Sequence, residues 1–251
     1  MSERPKILVT NDDGIQSDGI RSLAKALHEV GEVWIVAPDR EKTAIAHSIT
    51  LHRPLRVEKI RKNSYAVDGT PADCVYLGVN VILPQRPQLI VSGINKGGNL
   101  GDDVTYSGTV SAAFEGTLLG VPSFAVSLVS RSQFKFHAAA RFAARVAQYI
   151  LKKGLAKGTF LNVNVPNLDE KRIKSYKITK QGRWAHNGNQ VIEKVDPRGK
   201  KYYWLGTDQF VFDESGDSDF EAVSHDSISI TPLHLDLTHY PSLRNLRKMK
   251  I

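Results

Sequence analysis

Cysteine is almost missing from this chain: Cys74 is the single one in 251 residues. That excludes an intramolecular disulfide and a thiolate-rich zinc site, and it suits a reducing compartment. Long apolar runs are missing too. The longest uncharged stretch, residues 116–130, is interrupted by Pro122 and falls short of the roughly 20 apolar residues a membrane helix needs. Met1-Ser2-Glu3-Arg4-Pro5 is not a basic segment leading into a cleavable apolar one, so secretion is not expected and the cytoplasm is. Several catalytic signatures are absent as well. The chain has no Walker-type Lys-Ser/Thr pair, no G-x-G-x-x-G after its first apolar run, no H-E-x-x-H, no Cys pair and no Ser-His-Asp order. Acid is in deficit, with 26 Asp plus Glu against 34 Lys plus Arg and a net charge of +8. Such a field favours a polyanion and a small anionic substrate alike.

What is present is a chain of globular composition, 41% apolar and long enough to bury a sizeable core. Lys6-Ile7-Leu8-Val9-Thr10 reads as a buried strand ending in the turn formers Asn11-Asp12-Asp13-Gly14. Ile20, Leu23, Ala24 and Leu27 then recur at helical spacing, and Val33-Trp34-Ile35-Val36-Ala37 stops at Pro38. This β-α-β unit predicts a parallel sheet with its functional loops at the strand C-terminal ends. Residues 51–67 suggest a hairpin, and Thr70-Pro71-Ala72-Asp73 has the make-up of a capped helix start for a helix over 73–81. Further strands are expected at 88–92, 123–129 and 160–165, with helices opening at Ser107-Gly108-Thr109 and spanning 137–152. Beyond Pro166 the pieces become shorter and more polar, with strands at 176–179, 202–205, 210–212 and 227–233 and a basic helix at 243–251. The expected organisation is an α/β core over 1–166 and a C-terminal extension with oligomerisation arms over 167–251.

The chemistry gathers in three strand-end loops. Asp12 and Asp13 are adjacent, and adjacent strand side chains diverge, so the two carboxylates converge only if the chain breaks into a loop there, as Gly14 permits. Converging carboxylates require a cation or a proton between them, and Mg2+ is the hard ion that takes one or two carboxylates with other oxygens. The same triplet is also an ordinary Asp-Gly turn. Ser92 to Asp103 carries Gly93, Gly97, Gly98 and Gly101, which let backbone approach a ligand, and the neutral amides Asn95 and Asn99. Ser107, Gly108 and Thr109 offer hydroxyls and N–H groups at a helix start, where a phosphate binds well and where plain N-capping is equally at home. The loop after the second strand, Pro38 to Ser48, has the polarity of a flap: Thr43 offers a hydroxyl to a metal, Arg40 and Lys42 a charge, and His47 a proton-transfer group. Cys74 reads as core packing.

Four spaced motifs carry a family resemblance: Val9-Thr10-Asn11-Asp12-Asp13-Gly14, Ala37-Pro38-Asp39-Arg40, Asp68-Gly69-Thr70-Pro71-Ala72-Asp73-Cys74-Val75, and Ser92 through Gly108. Asp196-Pro197-Arg198-Gly199 and Ile230-Thr231-Pro232-Leu233 extend it along essentially the whole chain. In these the chain resembles the SurE survival-protein nucleotidases. The resemblance implies a Rossmann-like, mostly parallel sheet flanked by helices. It also implies a phosphatase that uses one divalent ion, Mg2+ or Mn2+, to hydrolyse nucleoside 5′- and 3′-monophosphates and, in some members, short polyphosphate. By motif position the metal ligands are Asp12, Asp13, Thr43 and Asn95. Thr43 stands where the family most often has Ser, which keeps the hydroxyl and adds a methyl. The phosphate would lie at Asn99, Ser107, Gly108 and Thr109. Asp12 and Asp13 would be the catalytic pair, Asp12 also orienting water, and the C-terminal arms would exchange between subunits of a homodimer or homotetramer. No membrane and no stable nucleic-acid partner are implied.

Two other readings of the same residues are an aspartyl-phosphate mechanism and a nucleic-acid surface. The first is disfavoured because haloacid-dehalogenase-type phosphatases carry D-x-D, whereas Asp12 and Asp13 are adjacent. The second would use the basic residues of 171–180 and 244–250, and it leaves the acidic loop without a role.

Overall fold

Ile7 and Val9 pack to one side of β1 (Lys6–Thr10) and Leu8 to the other, into two separate apolar clusters. That alternation is the mark of a central strand buried on both faces. The structure, a computed structural model, describes residues 4–184, 191–205 and 216–249. Following β1 come α1 (Asp18–Leu27), β2 (Glu32–Pro38), β3 (Val57–Arg61), β4 (Ser64–Val67), α2 (Pro71–Leu77), β5 (Leu89–Lys96), α3 (Gly108–Leu118), β6 (Ser123–Val129), α4 (Phe136–Lys153) and β7 (Thr159–Pro166). The remainder supplies β8 (Tyr176–Ile178), β9 (Val191–Val195), β10 (Lys201–Leu205), α5 (Asp219–Ser224), β11 (Ile228–His234) and α6 (Tyr240–Leu246).

Nine strands form one sheet in the order β3-β4-β2-β1-β5-β6-β7-β11-β8. Its centre is parallel, and the β3–β4 and β7–β11 pairs are antiparallel. The mostly parallel α/β core expected from the β-α-β reading is therefore present. Helices α1 and α4 cover one face, where Ile20, Leu23 and Leu27 meet Ala139, Ala143 and Val146 over Ile7, Val9 and Val91. On the other face Cys74 and Val75 of α2 and Ala112 of α3 close over Leu8, Val36 and Ile90. Each large aliphatic side chain buried this way contributes about 1.5–3 kcal/mol.

The segment after Pro166 is not confined to an appendage. β11 lies antiparallel to β7, pairing Ile230 with Val163, and β8 lies outside β11, so the central sheet crosses the boundary expected at residue 166. β9 and β10 stand apart as a two-stranded antiparallel hairpin, turned at Asp196, whose Oδ1 accepts from the N–H groups of Arg198 and Lys200. α2 ends at Leu77, earlier than expected, and continues as a wider turn, Gly78–Ile82, where Gly78 lies against Leu8. The basic terminal helix begins at Tyr240 rather than 243, with Pro241 in its first turn, as a fixed φ there favours. The strand expected at 210–212 lies outside the described residues. Among those described, no helix is long and apolar enough to cross a membrane.

This topology positions the site. β1 leads through α1 to β2 on one side and is bordered by β5 on the other, so strand order reverses between β1 and β5. Open α/β sheets bind ligands in the crevice at such a point, outside the strand C-terminal ends. Thr10 beside Ser92 is the last pair between the two strands, and the loops bearing Asp12 and Asn95 leave just beyond it.

Candidate active site

The turn after β1 is shaped by Asn11, whose amide donates to the Gly14 carbonyl at 3.0 Å and to Ser17 Oγ at 2.9 Å. Gly14 sits at φ +89°, where a Cβ would come within 3.0 Å of the Arg40 backbone, so a glycine is required. Asp12 and Asp13 emerge from this turn. Asp12 is buried, and Thr109 holds both of its oxygens: the hydroxyl donates to Oδ1 at 2.5 Å and the N–H to Oδ2 at 3.1 Å. Gly108 makes that approach possible, because a Cβ on it would lie 2.9 Å from Asp12 Cβ. Asp13 is half-buried and accepts from the Lys96 N–H at 3.1 Å.

Burial pushes the Asp12 carboxyl above its ordinary acidity, against the two hydrogen bonds from Thr109. Burial, reinforced by the neighbouring Asp12 charge, pushes Asp13 up to about 6. Two carboxylates in this state accept a cation readily.

Asp12, Asp13, Thr43, Asn95, Asn99 and Ser107 line one cleft of about 390 Å³, together with Glu41, Lys96, Asp103 and Tyr106. Residues drawn from three loops thus meet at one place. Asn95 donates its amide to the Gly97 carbonyl at 3.0 Å, which leaves its side-chain oxygen for a cation. Thr43 donates its hydroxyl to Glu41 at 2.5 Å and keeps its lone pairs. Among the described residues no cluster of three His, Cys, Asp or Glu is disposed to hold a metal. A cation here would rely on two carboxylates plus a neutral amide and hydroxyl, an all-oxygen set that suits Mg2+ or Mn2+.

Asn99 is locked from every side. Its side-chain amide donates to Ser127 at 2.7 Å, its N–H to Asn164 Oδ1 at 2.8 Å, and its carbonyl accepts from Asn162 and Asn164. One amide hydrogen remains for a ligand. Ser107 caps α3, accepting from the Val110 N–H at 3.1 Å, and among the described residues its hydroxyl proton has no acceptor. Thr109, expected at the phosphate, is fully buried beside Asp12, with its hydroxyl and N–H on that carboxylate.

The 39–50 loop is tied down at both ends. The Lys42 N–H donates to the Asp12 carbonyl at 2.7 Å, the Ala46 N–H to the Tyr106 carbonyl at 3.0 Å, and Thr50 reaches Asp73 through its N–H and hydroxyl. His47 bonds through Nε2 to the buried Glu115 at 2.8 Å, with its ring on Phe114, and does not line the acidic cleft. That pair moors the loop to α3. Cys74 is buried in the core, as its sequence context suggested.

One participant carries no local mark in the sequence, and two others have no role assigned there. Asp219, fully buried at the start of α5, accepts from the N–H groups of Gly101, Gly182 and Phe220, each at 2.9 Å, and so braces the glycine-rich loop from 118 residues away. Asp103 lines the cleft, and Lys96 fixes Asp13 through its backbone. Both lie within the Ser92–Gly108 stretch singled out in the sequence, and only the meeting of loops shows which cleft they line.

A family model described as Survival protein SurE matches residues 7–188. A protein named 5′-nucleotidase SurE from Geotalea daltonii is 52% identical over 247 residues, 98% of this chain and 99% of its own length. A protein of the same name from Pelobacter propionicus is 55% identical over 239 residues, 95% of this chain and 96% of its own. The crystal structure of the SurE protein from Aquifex aeolicus superposes with a TM-score of 0.87 at 44% identity, covering 97% of this chain and 98% of that one. With the family's pattern running through the strand-end loops and the likeness extending nearly from end to end, this chain belongs to the SurE survival-protein family.

Proposed function

We propose that this chain is a divalent-metal-dependent phosphatase that hydrolyses nucleoside 5′- and 3′-monophosphates, and short polyphosphate, to release inorganic phosphate. The carrying observation is the meeting of Asp12, Asp13, Thr43, Asn95, Asn99 and Ser107 on one cleft at the sheet's switch point, in a chain half identical to proteins named 5′-nucleotidase SurE.

Asp12, Asp13, the Thr43 hydroxyl and the Asn95 side-chain oxygen hold one Mg2+ or Mn2+. When bound, the ion supplies Lewis acidity to the phosphoryl oxygens and to the attacking water. Thr109 fixes the rotamer of Asp12 through two hydrogen bonds, so one carboxylate serves as ligand and as orienting acceptor for the water. Asn99 and the α3 start at Ser107-Gly108 take the substrate phosphate, where the helix dipole favours an anion. Asn99 arrives preorganised, because its backbone and one amide hydrogen are spent on Ser127, Asn162 and Asn164. The exposed apolar strands β9 and β10 serve self-association as a homodimer or homotetramer, and the working compartment is the cytoplasm.

Phosphate release from 5′-AMP and 3′-AMP, measured after chelation and again with Mg2+ or Mn2+ restored, tests this reading. Release should vanish on chelation and return with metal, and Asp12→Asn should lower it by about a hundredfold or more. A folded wild-type protein that releases no phosphate with either metal refutes the proposal.

A further inference from the structure

Hydrolysis of a nucleoside monophosphate expels a sugar alkoxide, a poor leaving group unless it is protonated as it departs. Resting on the phosphatase reading above, we propose that Asp103 is the general acid, delivering its carboxyl proton to the bridging ester oxygen as the phosphorus–oxygen bond breaks.

Position supports this first. Asp103 lines the same cleft as Asp12, Asp13, Asn95 and Ser107. Its backbone is fixed, since its carbonyl accepts from the Tyr106 and Ser107 N–H groups at 3.1 Å each, at the threshold of α3. A carboxyl there neighbours the residues assigned to the phosphate.

Elimination supports it next. Asp12 and Asp13 are needed as anions. His47 is spent on Glu115 and lies off the cleft. Glu41 is exposed and accepts the Thr43 hydroxyl. Lys96 serves Asp13 through its backbone N–H, and its side chain is an ammonium, a point charge suited to holding phosphoryl oxygens rather than a carboxyl able to give up a proton near pH 6. Among the described residues lining the cleft, Asp103 is the remaining carboxyl.

Its surroundings favour its protonated form relative to an ordinary carboxyl. Burial holds the Asp103 carboxyl up at about 6, the Asp102 and Asp219 charges push the same way, and a side-chain hydrogen bond with Trp184 pulls against them. Asp12, Asp13 and Glu41 across the cleft are further acids, and Lys96 is the one cation among its described lining. The step balances: the water oxygen forms the new bond to phosphorus, and the electron pair of the broken bond goes to the ester oxygen. That oxygen takes the Asp103 proton, and the proton lost by the water restores the acid over the turnover.

The test compares two esters in the metal-loaded enzyme. 5′-AMP needs a proton on its leaving group, whereas p-nitrophenyl phosphate expels a phenolate that is stable unprotonated. Asp103→Asn should lower kcat for 5′-AMP by about a hundredfold and leave p-nitrophenyl phosphate within about threefold. Asp103→Glu should restore part of the 5′-AMP rate. Wild-type kcat on 5′-AMP should fall as pH rises through about 6, a limb that Asp103→Asn loses. Carbon-13 NMR titration of the metal-free protein should place the Asp103 midpoint in the same range. Equal losses on both esters in a folded variant, or no loss on 5′-AMP, overturn the assignment. A wild type inactive on both esters overturns the phosphatase reading with it, so the two failures are distinguishable.

Discussion

Asp13 and Asp103 each titrate in the fold at about 6, against an ordinary 3.8. The folded protein therefore keeps protons that the unfolded chain has already released between those two values. More protons bound in the native state mean that stability falls as pH rises. Their contribution is fully present below the unfolded pKa and is lost as pH climbs through about 6. The metal-free protein should accordingly lose thermal stability between about pH 4 and 7, and Asp13→Asn should flatten that decline. Melts in chelator across this range check it, and an unchanged slope in the variant would contradict the assignment. Asp12 and Asp13 were legible in the sequence because an acid pair at the end of a buried strand demands a partner. Thr109 was legible only as a helix-start hydroxyl. Its hold on Asp12 requires α3 to approach the first loop, 97 residues away in sequence.

Among the elements, the capped start of α2 is the clearest success of local reading. Thr70 accepts from the Asp73 N–H, Asp73 accepts from the Thr70 N–H, and Pro71 opens the helix. Such a box involves four consecutive residues, so local chemistry suffices. Asp73 also holds Thr50 of the 39–50 loop, which no local pattern announces. The brace between α5 and the glycine-rich loop is the opposite case: locally, Ser218-Asp219 is just another helix start. Asp219→Ala would leave the N–H groups of Gly101, Gly182 and Phe220 without their buried acceptor. The cost should be about 3 kcal/mol or more, and Asp219→Asn should lose less. Urea midpoints of the two variants check this, and a loss below about 1 kcal/mol for Asp219→Ala would remove the brace from the description.

At the scale of the whole molecule, the sheet and the arm divide the C-terminal segment between them. β11 and β8 return to the core sheet, while β9 and β10 expose Val191, Ile192, Tyr203 and Trp204 on a hairpin of their own. An isolated two-stranded hairpin is marginal in water, and this one displays apolar surface suited to covering by another copy. Replacing residues 191–205 with a short Gly-Ser linker should shift the mass in solution from a multiple of 27.8 kDa towards the single-chain value. Light scattering after gel filtration reads this directly. A wild type that is already monomeric would refute the assembly role.

The sequence by itself determined the parallel α/β core, the strand-end placement of the acids and the family. Each is written in periodicities or short motifs whose members lie within a few residues of one another. The tertiary structure alone decided that Thr109 bonds Asp12 through its hydroxyl and N–H, that His47 moors to Glu115, and that Asp219 clamps Gly101. It also decided that the chain beyond residue 166 re-enters the sheet. These are contacts between groups 68 to 118 residues apart and a strand pairing of the same long-range kind. No local preference encodes such a contact, because its energy exists only once packing has brought both partners out of water together.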